Sequence, residues 1–272
     1  MKKLLAFTML LVLASVIGAN AEFFHPMITF ENTAQNFTPK AFIANGHFAY
    51  YKFGGTATGG FLAIPLEIGF AFDERWSASF VLPLVKTMPN GGGGNFGIDQ
   101  PWLKGKFIPM IAPNISLGPR IAFRLPLASN TINPIKAMAI DFAGLVHLGY
   151  KTAFKLDAQI GMTLELSKTI ATVDHKAASP FYFIAEPGYA FNPKMSFNGI
   201  IGLSIPVIKG KLGAVDVDGE KMAWVGEKFH WAFSPNVTMN EVFSYKVWSK
   251  TGALKGAKDF YFGAGVTANI PI

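Results

Sequence analysis

Charged residues at alternate positions are the first feature of this sequence that could do chemistry. Two neighbouring predicted strands carry basic residues, and the next three carry mainly acidic ones. The basic set is Lys104, Lys106, Arg120 and Arg124, and the acidic set is Asp141, Asp157, Glu165 and Glu186. If these side chains face a common interior, opposed charged walls would orient polar solutes and bias ion flow. The same charges could instead pair with one another and brace a plugged interior, and the sequence leaves both interpretations open.

Enzymatic chemistry finds little support in the residue spacing. None of the five histidines has a serine two residues later, which is the spacing of a membrane phospholipase site. Asp174 and His175 are adjacent, as in omptin-type proteases, but two adjacent residues are weak evidence and a solvated pair in a surface loop is the better explanation. The sequence has no H-E-x-x-H motif, and the glycine run at 91–94 precedes no lysine and no helix. We therefore predict no enzyme, no metal site and no cofactor.

Segments of about ten residues with alternating hydrophobicity recur along the chain and must position these charges. A period of two is typical of a strand with one apolar face. The twelve predicted strands are 41–53, 61–72, 75–85, 99–109, 115–126, 138–150, 153–166, 180–191, 195–207, 221–233, 237–248 and 259–271. An even number is what a closed antiparallel barrel of the bacterial outer-membrane type requires.

The connections between these strands alternate in length. Tight turns lie at 73–75, 112–114, 151–152, 192–194 and 234–236. The intervening connections are longer, at 54–60, 87–97, 128–136, 167–179, 208–220 and 249–258. Outer-membrane barrels have short periplasmic turns and longer extracellular loops. We therefore predict that the tight turns are periplasmic and that the long connections are extracellular.

Composition and strand faces favour lipid on one side of these strands. Half of the residues are hydrophobic and only 15% are charged, with 26 Phe and 28 Gly. One face of each strand is apolar, and the other is rich in Gly, Ser, Asn and Gln with scattered charges, which suits a narrow polar lumen. Glu227 and Glu241 fall at positions of the otherwise apolar face, so we make no prediction of whether these two side chains point inward or outward. The predicted fold is an all-β, transmembrane, antiparallel up-and-down β-barrel of about twelve strands over 41–272.

Aromatic residues recur beside the tight turns. They are Phe72, Trp76, Tyr150, Phe154, Phe191, Phe197, Trp231 and Phe233. Aromatic rings prefer the membrane interface, and such barrels carry aromatic girdles there, although aromatic residues are also good strand formers. We predict that these eight residues form the periplasmic girdle.

The N-terminus has the pattern of a secretory signal peptide at 1–21. Lys2 and Lys3 precede an apolar run, which ends in an A-x-A cleavage site at 19–21. Residues 22–40 alternate poorly and are rich in Phe, so this segment could fold inward as a plug or lie loose in the periplasm. The chain has no cysteine, which excludes disulfides and a lipid-modified cysteine.

The strand–turn–strand pattern at 66–84 and 97–129 resembles outer-membrane barrels of the phenol meta-pathway type. The resemblance rests on Pro83, Gly97, Asp99, the lysine at 104 or 106, and the L-P-L of 125–127. It implies an outer-membrane transporter or channel for hydrophobic or aromatic compounds. It carries over no substrate-binding residue.

These observations together predict a channel or transporter for small molecules in the bacterial outer membrane, reached by signal-directed export. Expected partners are outer-membrane lipid, periplasmic chaperones, the barrel-assembly machinery and a small-molecule solute. The dispersed positive charge, formally +7, forms no run that would indicate nucleic-acid binding. Two alternatives stay open: a narrow porin for anionic solutes or oligosaccharides, and a structural or adhesion barrel with a plugged lumen.

Overall fold

The computed structural model describes residues 40–53, 59–89, 92–133, 135–149, 152–170, 172–250 and 259–272. The signal peptide and nearly all of the segment 22–40 therefore lie outside the described residues. The strands are β1 (Ala41–Phe53), β2 (Gly59–Ala71), β3 (Trp76–Pro89), β4 (Phe96–Ile98), β5 (Trp102–Phe107), β6 (Met110–Ala112), β7 (Ile115–Arg124), β8 (Ala139–Leu148), β9 (Phe154–Glu165), β10 (Lys168–Ile170), β11 (Val173–Lys176), β12 (Ser179–Asn192), β13 (Met195–Ile208), β14 (Gly210–Leu212), β15 (Val215–Val217), β16 (Lys221–Ser234), β17 (Val237–Lys250) and β18 (Phe260–Pro271).

Twelve of these strands form one closed antiparallel barrel. Around the ring the order is β2, β1, β18, β17, β16, β13, β12, β9, β8, β7, β5 and β3, and β3 pairs back onto β2. The first and last strands close the ring, with β1 and β18 paired from Ala41–Pro271 to Lys52–Phe260. The predicted fold class and strand number are confirmed. Among the described residues, no helix has the length and apolarity needed to cross a membrane.

Strand boundaries differ from the prediction mainly in the third and fourth strands. The predicted strand 99–109 is shortened to β5 (Trp102–Phe107), and β4 (Phe96–Ile98) forms just before it, largely within the predicted loop 87–97; both pair with β3. Pro101 has no N–H to donate to a ladder, so pairing stops there. The Gln100 side chain occupies the break and donates hydrogen bonds to the carbonyls of Leu125 and Ala137.

The tight turns are held by short polar side chains. In the turn between β2 and β3, Asp73 Oδ1 accepts hydrogen bonds from the backbone N–H groups of Arg75 and Trp76, both at 2.7 Å. These bonds favour the ionised carboxylate and lower the pKa of Asp73. In the turn between β12 and β13, Asn192 Oδ1 accepts a hydrogen bond from the backbone N–H of Lys194 in the same way. These turn residues are typical of Asx turns, which is why the sequence located them.

A second, smaller sheet forms in the segments predicted as loops. The hairpins β10–β11 and β14–β15 lie at the long-loop end of the barrel and pair through β11 and β14 into a four-stranded sheet. Each of these strands has three or four residues, which is too short for alternation to be recognised. Their pairing joins parts of the chain that are about 35 residues apart, which no local pattern predicts.

The outer wall of the barrel is predominantly apolar. Side chains such as Ile68, Ile160 and Ile201 are at least half exposed on this face. Seven residues of the predicted girdle lie on it beside the short turns: Phe72, Trp76, Phe154, Phe191, Phe197, Trp231 and Phe233. Tyr150 lies outside the described residues. Glu227 and Glu241 are exposed on the same face of β16 and β17, opposite Phe243 and Phe229.

A charged side chain that faces lipid costs more at the middle of the membrane than near its surface, which gives a test of which barrel face meets lipid. Ile160 is 50% exposed near the middle of β9, so Ile160→Arg should destabilise the folded barrel by about 2–4 kcal/mol. Phe154 is 76% exposed beside a turn on the same face, so Phe154→Arg should cost about 0–1 kcal/mol. Denaturant unfolding in lipid vesicles measures both. Equal costs at the two positions would contradict a lipid-facing outer wall.

Candidate functional site

The interior of the barrel contains the charged side chains that the sequence singled out. Side chains alternate along a strand, so the residues between those that face outward must face inward. All eight predicted residues have this parity. Lys104, Lys106, Arg120, Asp141, Asp157, Glu165 and Glu186 are buried, and the Arg124 side chain is 12% exposed. The alternation of side chains along the strands therefore places all eight residues in the interior of the barrel.

Arg120 is the centre of the largest polar cluster. Its guanidinium donates hydrogen bonds to Asp141 Oδ1 at 2.7 Å, to Gln159 Oε1 at 3.2 Å and to the Tyr182 hydroxyl at 2.5 Å. Thr163 donates to the other carboxylate oxygen of Asp141 at 2.8 Å. These residues lie on β7, β8, β9 and β12, which are neighbours in the ring. The Arg120 side chain therefore lies along the wall and ties four strands together.

Other ion pairs also join strands that are adjacent in the ring or separated by one strand. Arg124 pairs with Glu165 across β8, and Lys104 pairs with Glu67 across β3 with a nitrogen–oxygen distance of 2.6 Å. Lys228 pairs with Glu186 across β13 at 2.9 Å. His147 lies 2.7 Å from Asp157 on the adjacent strand. The basic and acidic sets therefore do not face each other across an open lumen as separate charged walls.

Several partners in these pairs were missing from the candidate set. Glu67, His147 and Lys228 all have the parity of the inward face. The alternation pattern therefore placed them inside, but it gives no information on which strands are neighbours. A search for opposite charges at inward positions one or two strands apart would have found the pairs.

A further polar network lies where the barrel meets the long loops. The Tyr51 hydroxyl donates to Asp259 Oδ2 at 2.8 Å, and Asp259 also pairs with Lys246. Lys246 reaches Glu220 at 2.9 Å, and Glu220 accepts a hydrogen bond from Ser249. This network links β1 and β17 to the residues that precede β16 and β18.

An apolar patch on the inner wall is the other main feature. It is a cluster of buried residues that contact one another: Ala49, Tyr51, Ile184, Ile200, Met222, Trp224, Val242 and Tyr261, with Phe61 and Ala63 packed against them. The cluster extends over seven neighbouring strands, from β12 through β18 to β2. Tyr51, Phe61, Met222 and Tyr261 lie within two residues of the long-loop ends of their strands. Below, we call these ten residues the inner apolar patch.

Inward glycines create room for these large side chains. A Cβ on Gly202 would lie 1.9 Å from the Trp224 ring, and a Cβ on Gly161 would lie 2.5 Å from the Tyr182 hydroxyl. The indole and the phenol therefore lie flat over the backbone of neighbouring strands. The glycine-rich inner face, which the sequence suggested as a sign of a narrow polar lumen, serves in part to seat aromatic rings.

The described residues contain no group of three or more His, Asp or Glu that could hold a metal ion. Asp174 and His175 follow each other on β11, so their side chains point to opposite faces of the small sheet. Asp174 accepts a hydrogen bond from Thr169, and His175 is buried. These two side chains therefore do not form an acid–base pair.

No family model matches this chain, and no curated protein matches it either. Solved structures resemble it in fold. The COG4313 outer membrane channel from Pseudomonas putida F1 has a TM-score of 0.72 at 10% identity, covering 88% of this chain and 99% of that one. The translocator domain of the autotransporter NalP from Neisseria meningitidis has a TM-score of 0.57 at 10% identity, covering 92% and 96%. The NanC porin has a TM-score of 0.55 at 8% identity, covering 83% and 98%. The chain therefore has the fold of outer-membrane barrels.

The Arg120 cluster predicts a large, partner-dependent effect on stability. Arg120→Leu leaves Asp141 buried without its cation and should cost about 3–5 kcal/mol. The double variant Arg120→Leu/Asp141→Leu removes both charges and should recover most of that loss. Arg75→Leu is the matched control, because Arg75 and Asp73 form an exposed pair at 3.9 Å and the change should cost less than about 1 kcal/mol. Denaturant unfolding measures all three, and a double variant as unstable as the single one would argue against the pairing.

Proposed function

We propose that this protein is a small-molecule channel in the bacterial outer membrane that carries hydrophobic or aromatic compounds. The observation that carries the proposal is the inner apolar patch within a barrel whose outer wall is also apolar. An apolar outer wall matches a bilayer, and the closed ring leaves no strand edge exposed to lipid. In this orientation the short turns are periplasmic and the long loops are extracellular. The end of the patch formed by Tyr51, Phe61, Met222 and Tyr261 then lies near the extracellular mouth, where an incoming solute would first meet it.

The chemistry of the patch supports an aromatic or apolar solute. Trp224, Tyr51, Tyr261 and Phe61 lie on the inner face and are buried against their neighbours, and ring pairs such as Tyr51 and Phe61 pack with centroids 5.0 Å apart. Rings prefer offset or edge-to-face contacts with other rings, so a planar aromatic solute can replace one of these contacts at little cost. This agrees with the resemblance to the phenol meta-pathway family, which suggests the same class of solute.

An anion-selective porin receives less support from the geometry. That function needs basic side chains available to a passing anion, and the sequence suggested Arg120 and Arg124 for this role. Arg120 is 1% exposed and bonded to Asp141, and Arg124 is paired with Glu165. An anion would have to break these ion pairs to bind.

An adhesion barrel has one specific observation in its favour. The small sheet at the long-loop end exposes Val173, Val215 and Val217, which could contact another macromolecule. Such a barrel would be silent in a conductance measurement, which separates it from a channel.

Current block by a neutral aromatic solute tests the proposed function. The chain without residues 1–21, refolded into a planar bilayer, should show discrete openings that added phenol reduces reversibly. Trp224→Ala removes a ring from the patch and should raise the blocking concentration about tenfold. Trp231→Ala is the matched control, because Trp231 lies on the outer face beside a short turn and should leave the block unchanged. A barrel that folds but shows no openings would contradict a channel, and equal effects at the two tryptophans would contradict a solute site at the patch.

The segment 22–40 forms a separate part of this proposal. Its apolar residues Phe23, Phe24, Met27, Ile28 and Phe30 are unfavourable in water, which supports its role as a plug inside the barrel. Deletion of 22–39 should then raise the single-channel conductance several-fold at unchanged fold. The control is a chain in which the same length is replaced by a Gly/Ser sequence, which should also conduct more. Identical conductance with and without the segment would show that it lies outside the lumen.

A further inference from the structure

Two buried polar groups on the inner face of β17 have no hydrogen-bond partner among the described residues. They are Nδ2 of Asn240 and Oγ1 of Thr238. Asn240 is 0% exposed, and both residues share the inward face of β17 with Val242 of the inner apolar patch. Buried polar atoms are nearly always hydrogen-bonded, because an unpaired one loses its hydration without compensation. Two such groups at successive inward positions therefore indicate a binding position for a polar group.

The amide of Asn240 restricts which chemical group can bind there. Its Oδ1 lies 2.8 Å from Nδ1 of His230, which is directly opposite on β16. A half-turn of the amide would place Nδ2 on His230 and bring the acceptor Oδ1 to the position where the donor now lies. A group that satisfies Asn240 in both orientations must both accept and donate hydrogen bonds. A hydroxyl does so, whereas a carbonyl only accepts and an ammonium only donates.

The neighbours of Asn240 on the inner face favour an uncharged group. Gly265 is directly opposite Asn240 on β18, and a Cβ at Gly265 would lie 1.7 Å from the His47 ring, so this ring packs beside Asn240. The inward lysine of β16, Lys228, is 2.9 Å from a carboxylate on β12 and forms an ion pair with it. A charged solute group next to Asn240 would therefore compete with an existing ion pair, and a neutral group would not.

The two polar groups adjoin the end of the inner apolar patch that lies nearer the short turns. Val242 is the next inward residue of β17 after Asn240, about 7 Å further along the strand. Gly263 is directly opposite Val242 and is in turn opposite Ala49, so no side chain separates these two patch residues on β18. An apolar body at Val242 would thus place a polar substituent within reach of Asn240.

We propose that Asn240 and Thr238 form a subsite inside the barrel for the hydroxyl group of an otherwise apolar compound. The apolar body lies against Val242, and the hydroxyl oxygen accepts a hydrogen bond from Asn240 Nδ2. The hydroxyl donates its own hydrogen to Thr238 Oγ1. A hydrocarbon without a hydroxyl leaves both protein groups unpaired. This inference rests on the proposed function and adds to it the chemical group that distinguishes one apolar solute from another.

A matched pair of fluorinated probes tests the subsite. The probes para-fluorophenol and para-fluorotoluene share one ring and differ in a hydroxyl against a methyl group. Fluorine NMR measures the dissociation constant of each for the chain without residues 1–21, refolded in detergent, with empty micelles as the blank. Asn240→Leu/Thr238→Val should weaken para-fluorophenol binding about tenfold and leave para-fluorotoluene binding unchanged, because only the phenol loses hydrogen bonds.

Two further variants accompany the double variant. Ser244→Ala is the matched control, because Ser244 is a buried inward residue four positions further along β17, about 13 Å from Asn240. It should change the binding of neither probe. Thr238→Val alone is nearly isosteric and should weaken para-fluorophenol binding about threefold, so it tests the subsite even if the double variant does not fold. Every variant measured must retain the heat-modifiable gel mobility of a folded barrel.

Three results would overturn the inference. Equal weakening of both probes by the double variant would indicate a general loss of apolar contacts, and unchanged para-fluorophenol binding would exclude Asn240 and Thr238 as its partners. A crystal structure with para-fluorophenol elsewhere and a water on Asn240 would assign the position to a buried water. Conductance separates the subsite from the channel. A conducting barrel in which the double variant leaves the probe preference unchanged overturns only the subsite, and a silent barrel whose preference depends on Asn240 overturns only the proposed function.

Discussion

Closure of the β1–β18 pair is the constraint on which the rest of the structure depends. A strand edge in lipid would leave a row of N–H and C=O groups without hydrogen bonds, and each such group costs several kcal/mol. The register from Ala41–Pro271 to Lys52–Phe260 satisfies the groups on both strands and makes a ring. Once the ring is closed, every strand has one face inside and one outside. The alternation of side chains along the sequence then becomes a division between an interior and an outer wall.

The closed ring buries charged side chains in its interior, and these charges need partners there. Buried charges are costly unless each is paired and hydrogen-bonded, and here the pairs join strands that are adjacent or separated by one strand. Arg120 shows this most clearly, because its guanidinium donates hydrogen bonds to acceptors on β8, β9 and β12. Pairing along the wall joins neighbouring strands and gives these buried charges partners inside the barrel. The inner apolar patch, which adjoins the Arg120 cluster at β12 and continues around the ring to β2, is then the surface that differs most from a water-filled pore.

The outer wall departs in two places from regular strand pairing and from a purely apolar surface. Pro65 interrupts the β1–β2 ladder, and small residues beside it produce a groove. Glu227 and Glu241 place carboxylates among aromatic side chains on β16 and β17. A charge on this face is tolerated best near an interface, and Glu241 lies four residues from its short turn. Nothing in the structure explains Glu227, which lies near the middle of its strand.

The sequence by itself determined the strands and the two faces, because a period of two and Asx turns such as the one at Asp73 are local properties. It also placed Arg120, Asp141 and the other candidate charges on the inner face. It did not determine that Arg120 pairs with Asp141 or Lys104 with Glu67, because a pair depends on register and on which strands are neighbours in the ring. The inner apolar patch was missed for the same reason: Tyr51, Trp224 and Tyr261 come from distant strands, and each alone resembles an ordinary strand residue. Only the tertiary structure, through closure and register, brought these residues together and formed the small sheet from β10, β11, β14 and β15.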